Sequence, residues 1–299
     1  MIMQRFKFFL IFGFFISVPQ IALATCDPSV STSGSSLAVN YNPFETNPTD
    51  ALLKVNISNA GSSPCVLELN IVPDSGRNRL TGPGGAIRFS VVNADDWRIS
   101  RRGQVSASLR TTLPAGPVSR TFDLPFRIKE GQIKGPGTYS EALRIELKER
   151  NKPGRSALLS DSVDFSAVIN ARVDAFLSFS RGAFGTGQSV NVFDLGILQT
   201  GLKDSVYLQL RGNTAARVTV QSQNGGKLIH QDNPSLGSID YKMRVAGRPA
   251  DMNSPVTVVR SLPPLERGRS FGLTFIIGQV NAQMAGVYKD IINVDVTSF

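Results

Sequence analysis

An eleven-residue phrase occurs twice in this chain and restricts its fold to strands. Gly137-Thr-Tyr139-Ser-Glu141-Ala-Leu143-Arg-Ile145-Glu-Leu147 returns as Gly286-Val-Tyr288-Lys-Asp290-Ile-Ile292-Asn-Val294-Asp-Val296. Each copy is a turn glycine, a tyrosine, an acidic residue, and then apolar positions alternating with polar ones. That period of two belongs to a half-buried β-strand and does not suit a helix. Three further pairs keep the same order about 150 residues apart. Leu53-Lys-Val55-Asn-Ile57 matches Val206-Tyr-Leu208-Gln-Leu210, and Ile87-Arg-Phe89-Ser-Val91 matches Ile239-Asp-Tyr241-Lys-Met243. Phe122-Asp-Leu124-Pro-Phe126-Arg-Ile128 matches Phe271-Gly-Leu273-Thr-Phe275-Ile-Ile277. A repeat of this length is two copies of one all-β domain rather than a short-period solenoid.

Turn residues punctuate the strands. Gly82-Pro83-Gly84-Gly85, Pro114-Ala-Gly116-Pro117 and Gly135-Pro136-Gly137 mark loops. Gln223-Asn224-Gly225-Gly226-Lys227 reads as a hairpin, because Asn-Gly supplies the positive φ angles of a tight turn. No window combines a helical period with caps. Many short strands between frequent turns point to an all-β chain of sandwiches. The boundary falls at Asn170-Ala171-Arg172, giving one domain over 25–172 and a second over 173–299.

The two copies end differently. After the first phrase comes another strand-like run over 162–168; after the second the chain reaches Phe299. The second domain is therefore expected to lack an edge strand and to accept one from another chain. Ile292, Val294 and Val296, with the strand over 173–179, are the expected lining of the groove left open.

Arg5 and Lys7, an apolar run over 8–18 and Ala22-Leu23-Ala24 have the form of an export signal cleaved after Ala24. The run is shorter than the ~20 apolar residues of a membrane span. Two cysteines in an exported chain most simply form one disulfide, Cys26 to Cys65. Acylation of Cys26 is the alternative, and Thr25 directly before it is a poor fit to a lipoprotein signal. The net charge is +9, spread as 18 basic against 14 acidic residues over 25–172 and 12 against 9 over 173–299. A nucleic-acid binder gathers such an excess into a stripe with aromatic residues, so no nucleic-acid partner is expected.

Catalytic chemistry finds little to work with. His230 is the only histidine, and Asp232 and Ser235 near it have ordinary turn composition, so a structural or exposed histidine is expected and no enzyme. One histidine and two bridged cysteines exclude the usual zinc ligand sets. Asp95-Asp96 lacks the alternating ligands of a calcium loop, and Gly182-Ala-Phe-Gly185-Thr-Gly187 leads into no helix that could cradle a phosphate. No metal or cofactor is expected. For binding, the stretch Trp97-Arg98-Ile99-Ser100-Arg101-Arg102 holds the only tryptophan and three arginines, the types most enriched at interface hot spots. The other place for Trp97 is the core of the first sandwich. The loops over 74–80 and 113–118 add Leu80 and Leu113 as apolar receptor-binding candidates.

Cys26, Tyr41-Asn42-Pro43, Cys65 and the two Gly-x-Tyr-x-Glu/Asp strands resemble the spore-coat-protein-U-type domain, which builds the subunits of archaic, Csu-type chaperone–usher pili. Phe193-Asp194-Leu195-Gly196-Ile197-Leu198 and Leu208-Gln-Leu210-Arg211-Gly212-Asn213 extend the likeness through the second copy, which departs from it in having no cysteine. The resemblance implies an incomplete immunoglobulin-like sandwich whose missing strand comes first from a periplasmic chaperone and then from the adjacent subunit. Subunits that stack carry an extension before the first cysteine, whereas cleavage after Ala24 leaves Thr25 alone there. This implies a tip adhesin at the cell surface, assembled through an outer-membrane usher and serving attachment and biofilm formation, with hydrophobic finger loops such as those of Leu80, Trp97 and Leu113. A minor subunit elsewhere in the fibre, a periplasmic fimbrial chaperone and a secreted polysaccharide-active enzyme are the alternatives.

Overall fold

The computed structural model describes residues 25–92, 96–99, 106–150, 159–260, 265–281 and 283–299. Apart from one 3-10 turn at Pro234–Leu236, every regular element among them is a strand. The first eleven are β1 (Pro28–Thr32), β2 (Ser36–Asn40), β3 (Thr49–Asn59), β4 (Cys65–Pro73), β5 (Arg79–Gly82), β6 (Gly85–Val91), β7 (Trp97–Ile99), β8 (Ala107–Leu113), β9 (Val118–Ile128), β10 (Gly137–Glu149) and β11 (Leu159–Ile169). Then come β12 (Val173–Ser178), β13 (Lys203–Gly212), β14 (Ala216–Ser222), β15 (Lys227–His230), β16 (Ser238–Val245), β17 (Arg248–Ala250), β18 (Val256–Arg260), β19 (Leu265–Ile277), β20 (Tyr288–Lys289) and β21 (Ile292–Ser298).

Strands β1 to β11 pair only among themselves, as do β12 to β21. Two hydrophobic cores correspond to the two sets. In the first, the neighbour order is β1-β3-β9-β6-β5-β10-β4-β8-β7, with β11 along the free side of β10 and β2 parallel to β11. Strand β6 pairs with β5 through its first half and with β9 through its second, so it turns the corner between the two layers of an immunoglobulin-like sandwich. The second set repeats this path as β12-β13-β19-β16-β15-β20, while β18-β14-β21 forms the adjoining layer. Strand for strand, β3 corresponds to β13, β6 to β16, β9 to β19, and β10 to β20 with β21, as the sequence repeats require. Strand β11 has no counterpart among the described residues.

The repeated phrase is explained by two local devices. In each copy the tyrosine hydroxyl donates to the carbonyl four residues upstream, Tyr139 to Gly135 (2.9 Å) and Tyr288 to Met284 (2.8 Å), the tyrosine corner of such sandwiches. In each copy the acidic side chain accepts a backbone N–H from a turn in the neighbouring strand. Glu141 takes that of Ser75 (2.6 Å), and Asp290 takes that of Asn224 (3.1 Å). The expected hairpin over 223–227 is corrected here. Gly225 and Gly226 do take positive φ, 61° and 80°, but β14 pairs with β21 and β15 with β20. The turn interrupts one long strand instead of reversing it, just as 74–78 separates β4 from β5 beside β10.

Candidate functional site

Alternation decides the fate of most receptor-binding candidates in the first sandwich. Leu80 on β5 and Leu113 on β8 are corrected from loop positions to core positions, 0% and 1% exposed, and of the two places open to Trp97 on β7 the structure gives the core, with 7% of its surface exposed. Trp97 also donates its Nε1–H to the Asp123 carbonyl (3.1 Å), fastening β7 to β9. Arg98 is exposed; Arg101 and Arg102 lie outside the described residues, as does the expected export signal over 1–24.

The same sandwich has a braced end that the sequence reading missed. Cys26 and Cys65 are joined by a disulfide. Beside it Asn59 is fully buried, and all its side-chain valences are used. Its Oδ1 accepts the Asp27 and Gly61 N–H groups, and its Nδ2 donates to the Ser63 and Pro114 carbonyls. Gly116 N–H donates to the Gly61 carbonyl (2.8 Å). Residues 26–27, the β3–β4 loop and the β8–β9 loop are thereby tied into one platform. A polar residue closing an otherwise apolar alternation, Val55-Asn-Ile57-Ser-Asn59, was the available signal. The platform lies at the opposite end of β3 and β10 from residues 170–172, which lead into the second sandwich.

The second sandwich carries an open groove. Gln223 N–H donates to the Ile291 carbonyl and Phe299 N–H to the Ala215 carbonyl, both on the β14 side. Backbone groups alternate sides along a strand, so Ile292, Val294 and Val296 turn theirs to the opposite edge, where no strand pairs with them among the described residues. In the first sandwich Asp74 N–H donates to the Ala142 carbonyl, and Leu143, Ile145 and Leu147 turn toward β11, which covers them. Those three are 0% exposed, whereas Ile292, Val294 and Val296 are only partly buried. Val173 and Leu177 of β12 share that partial burial. Apart from one bridge between Ser178 and Ser189, β12 is paired on its β13 side alone.

An aromatic cluster gives the same contrast. Phe89, Phe126 and Phe165 meet with centroids 5.2–5.7 Å apart, and Phe165 is supplied by β11. Their first two members correspond to Tyr241 and Phe275, which lie 5.9 Å apart. Here Phe193 of the connecting segment, instead of a strand corresponding to β11, brings a ring to Phe275 at 5.5 Å.

His230 is buried, its ring edge-on to Tyr288 at 5.1 Å. A Cβ added to Gly286 would stand 2.1 Å from its Nε2, so the phrase's glycine makes room for this histidine. Among the described residues no three His, Cys, Asp or Glu side chains gather to hold a metal ion, and no helix is long and apolar enough to cross a membrane.

No family model matches the chain, and no curated protein matches it. Solved structures similar to it include tip adhesin subunits of chaperone–usher pili. One is a chain of the CsuC–CsuE chaperone–tip adhesion subunit pre-assembly complex from archaic Csu pili of Acinetobacter baumannii. It is 17% identical over 91% of this chain and 100% of that chain, with a TM-score of 0.48. The CupB6 tip adhesin from Pseudomonas aeruginosa is 10% identical over 92% of this chain and 94% of that one, with a TM-score of 0.38. CfaE, the adhesive subunit of CFA/I fimbria of enterotoxigenic Escherichia coli, is 12% identical over 91% and 81%, with a TM-score of 0.34. Likeness at these identities assigns no function.

Proposed function

We propose that this chain is a non-enzymatic tip adhesin of a chaperone–usher pilus that mediates surface attachment and biofilm formation. Residues 25–172 act as the receptor-binding domain, and 173–299 act as a pilin domain that accepts a donor strand. The observation that carries the reading is the contrast between two copies of one fold. The first fills the space beside β10 with its own β11, while the second leaves the equivalent edge of β21 and its apolar residues uncovered. Unpaired backbone groups beside an apolar groove are costly in water and are satisfied by β-strand addition. A periplasmic chaperone, and then the adjacent subunit at the usher, supply that strand. The platform around Asn59 and the disulfide points away from the joint with the pilin domain and is the face offered to a receptor.

The test is to express 25–172 and 173–299 separately and follow their unfolding. The first fragment is expected to unfold cooperatively alone. The second is expected to do so only with a donor, for which a peptide of residues 159–169 is the natural probe because β11 occupies the equivalent site. Cooperative melting of monomeric 173–299 without donor would sink the strand-accepting role. Immunogold labelling then places the subunit: label at one fibre end supports a tip adhesin, label along the shaft a minor subunit, and retention in the periplasm a chaperone.

A further inference from the structure

The joint between the sandwiches holds a cluster that neither the groove nor the platform uses. Arg211 on β13 has a guanidinium carbon 5.0 Å from the ring centre of Phe44, in the first sandwich, and 4.4 Å from that of Phe184, in the second. Its Nε donates to Asp174 Oδ2 at 3.0 Å, and the other oxygen of Asp174 accepts Arg172 Nε at 3.0 Å. Both rings sit on tethered segments. Phe44 sits three residues after Tyr41, whose buried hydroxyl donates to the Lys129 carbonyl and accepts the Gln132 N–H. Phe184 belongs to the glycine-rich strap over 182–187, and its N–H donates to the Arg267 carbonyl (2.9 Å). Gln209 Nε2 donates to the carbonyls of Thr186 in the strap and of Ser180 just before it. The connection itself is pinned by Asn213, 3% exposed. Its Oδ1 accepts the Arg172 N–H (2.8 Å) and its Nδ2 donates to the Asn170 carbonyl (2.9 Å).

We propose that Arg211, held by Asp174 and stacked against Phe44 and Phe184, is a latch that fixes the orientation of the two sandwiches. A planar guanidinium suits the place because it can lie against rings while donating from its edge, which an ammonium cannot reproduce. The glycine-rich strap thereby acquires a structural purpose: it carries one of the two rings. Asp174 and Arg211 lie opposite each other in the β12–β13 ladder, on the face away from core residues Leu208 and Leu210, so the latch is separate from the groove.

Spin labels at Thr112 and Lys242, exposed strand positions in the two sandwiches, report the separation in the full chain. The native chain is expected to give one narrow distance distribution. Arg211→Ala and Phe44→Ala are each expected to broaden it, lowering the latched-to-open ratio by about tenfold, and Arg211→Lys is expected to broaden it as well. Phe44→Ala leaves the second sandwich intact, so a fold defect in Arg211→Ala does not spoil the test. A broad distribution in the native chain, or an unchanged one in both alanine variants, overturns the latch.

Discussion

Asp290 joins three separate segments of the second sandwich through one carboxylate. Its carboxylate accepts from the Asn224 N–H, the Ser222 hydroxyl and the Tyr241 hydroxyl, holding the interrupted strand against its neighbour. Asp290→Ala leaves these donors unsatisfied and is expected to cost about 1–3 kcal/mol, read from chemical denaturation of the chain with the 159–169 peptide bound. Burial, helped by the bond to Asp290, pushes the Tyr241 hydroxyl well above the usual tyrosine range. The sign follows from linkage: a raised folded-state value means that stability is complete below about pH 10 and falls as pH rises further, because the unfolded chain ionises first. Tyr241→Phe is expected to make stability decline less steeply above that pH. Cys65→Ala is expected to destabilise the first sandwich by about 2–4 kcal/mol and to leave the second unchanged, since contributions from separate sites add. Unaltered melting of the first sandwich in that variant would argue against a structural bridge.

At the scale of elements, alternation made the strands legible, because a period of two admits no other regular structure. The topology then followed the repeat, copy for copy. Local turn chemistry was less informative. Gly225 and Gly226 have the positive φ angles of a hairpin, yet the acceptor on Asp290, between β20 and β21 and 66 residues away from Asn224, keeps the chain running forward. Pro114 and Gly116 suggest a loop at Leu113, although the alternation from Leu109 through Thr111 already turns it inward. Leu80 beside its turn residues follows the same pattern, and Trp97, open in the sequence to core or binding face, is settled by its distant partners on β8 and β9. The missing ring is an element-scale matter too. Since Phe165 of β11 completes a trio with Phe89 and Phe126, a donor peptide carrying Phe165→Ala is expected to bind the second sandwich several-fold more weakly, by loss of buried aromatic surface. Equal binding of the two peptides in titration calorimetry would remove the correspondence between β11 and the donor.

The described residues form one fold used twice, closed along β10 by β11 in the first sandwich and left open along β21 in the second. On the proposed function, a closing strand of its own leaves the first sandwich free to hold a braced surface, while the second takes its strand from a partner. Hydrogen exchange along β21 in the full chain tests that division most directly. Without donor, the amides of Ile292, Val294 and Val296 are expected to exchange freely, whereas Asn293, Asp295 and Thr297, paired to β14, and Leu143, Ile145 and Leu147, covered by β11, stay protected. Adding the 159–169 peptide is expected to protect the first three as well. Protection of Ile292, Val294 and Val296 in the monomer before any strand is supplied would contradict the open groove.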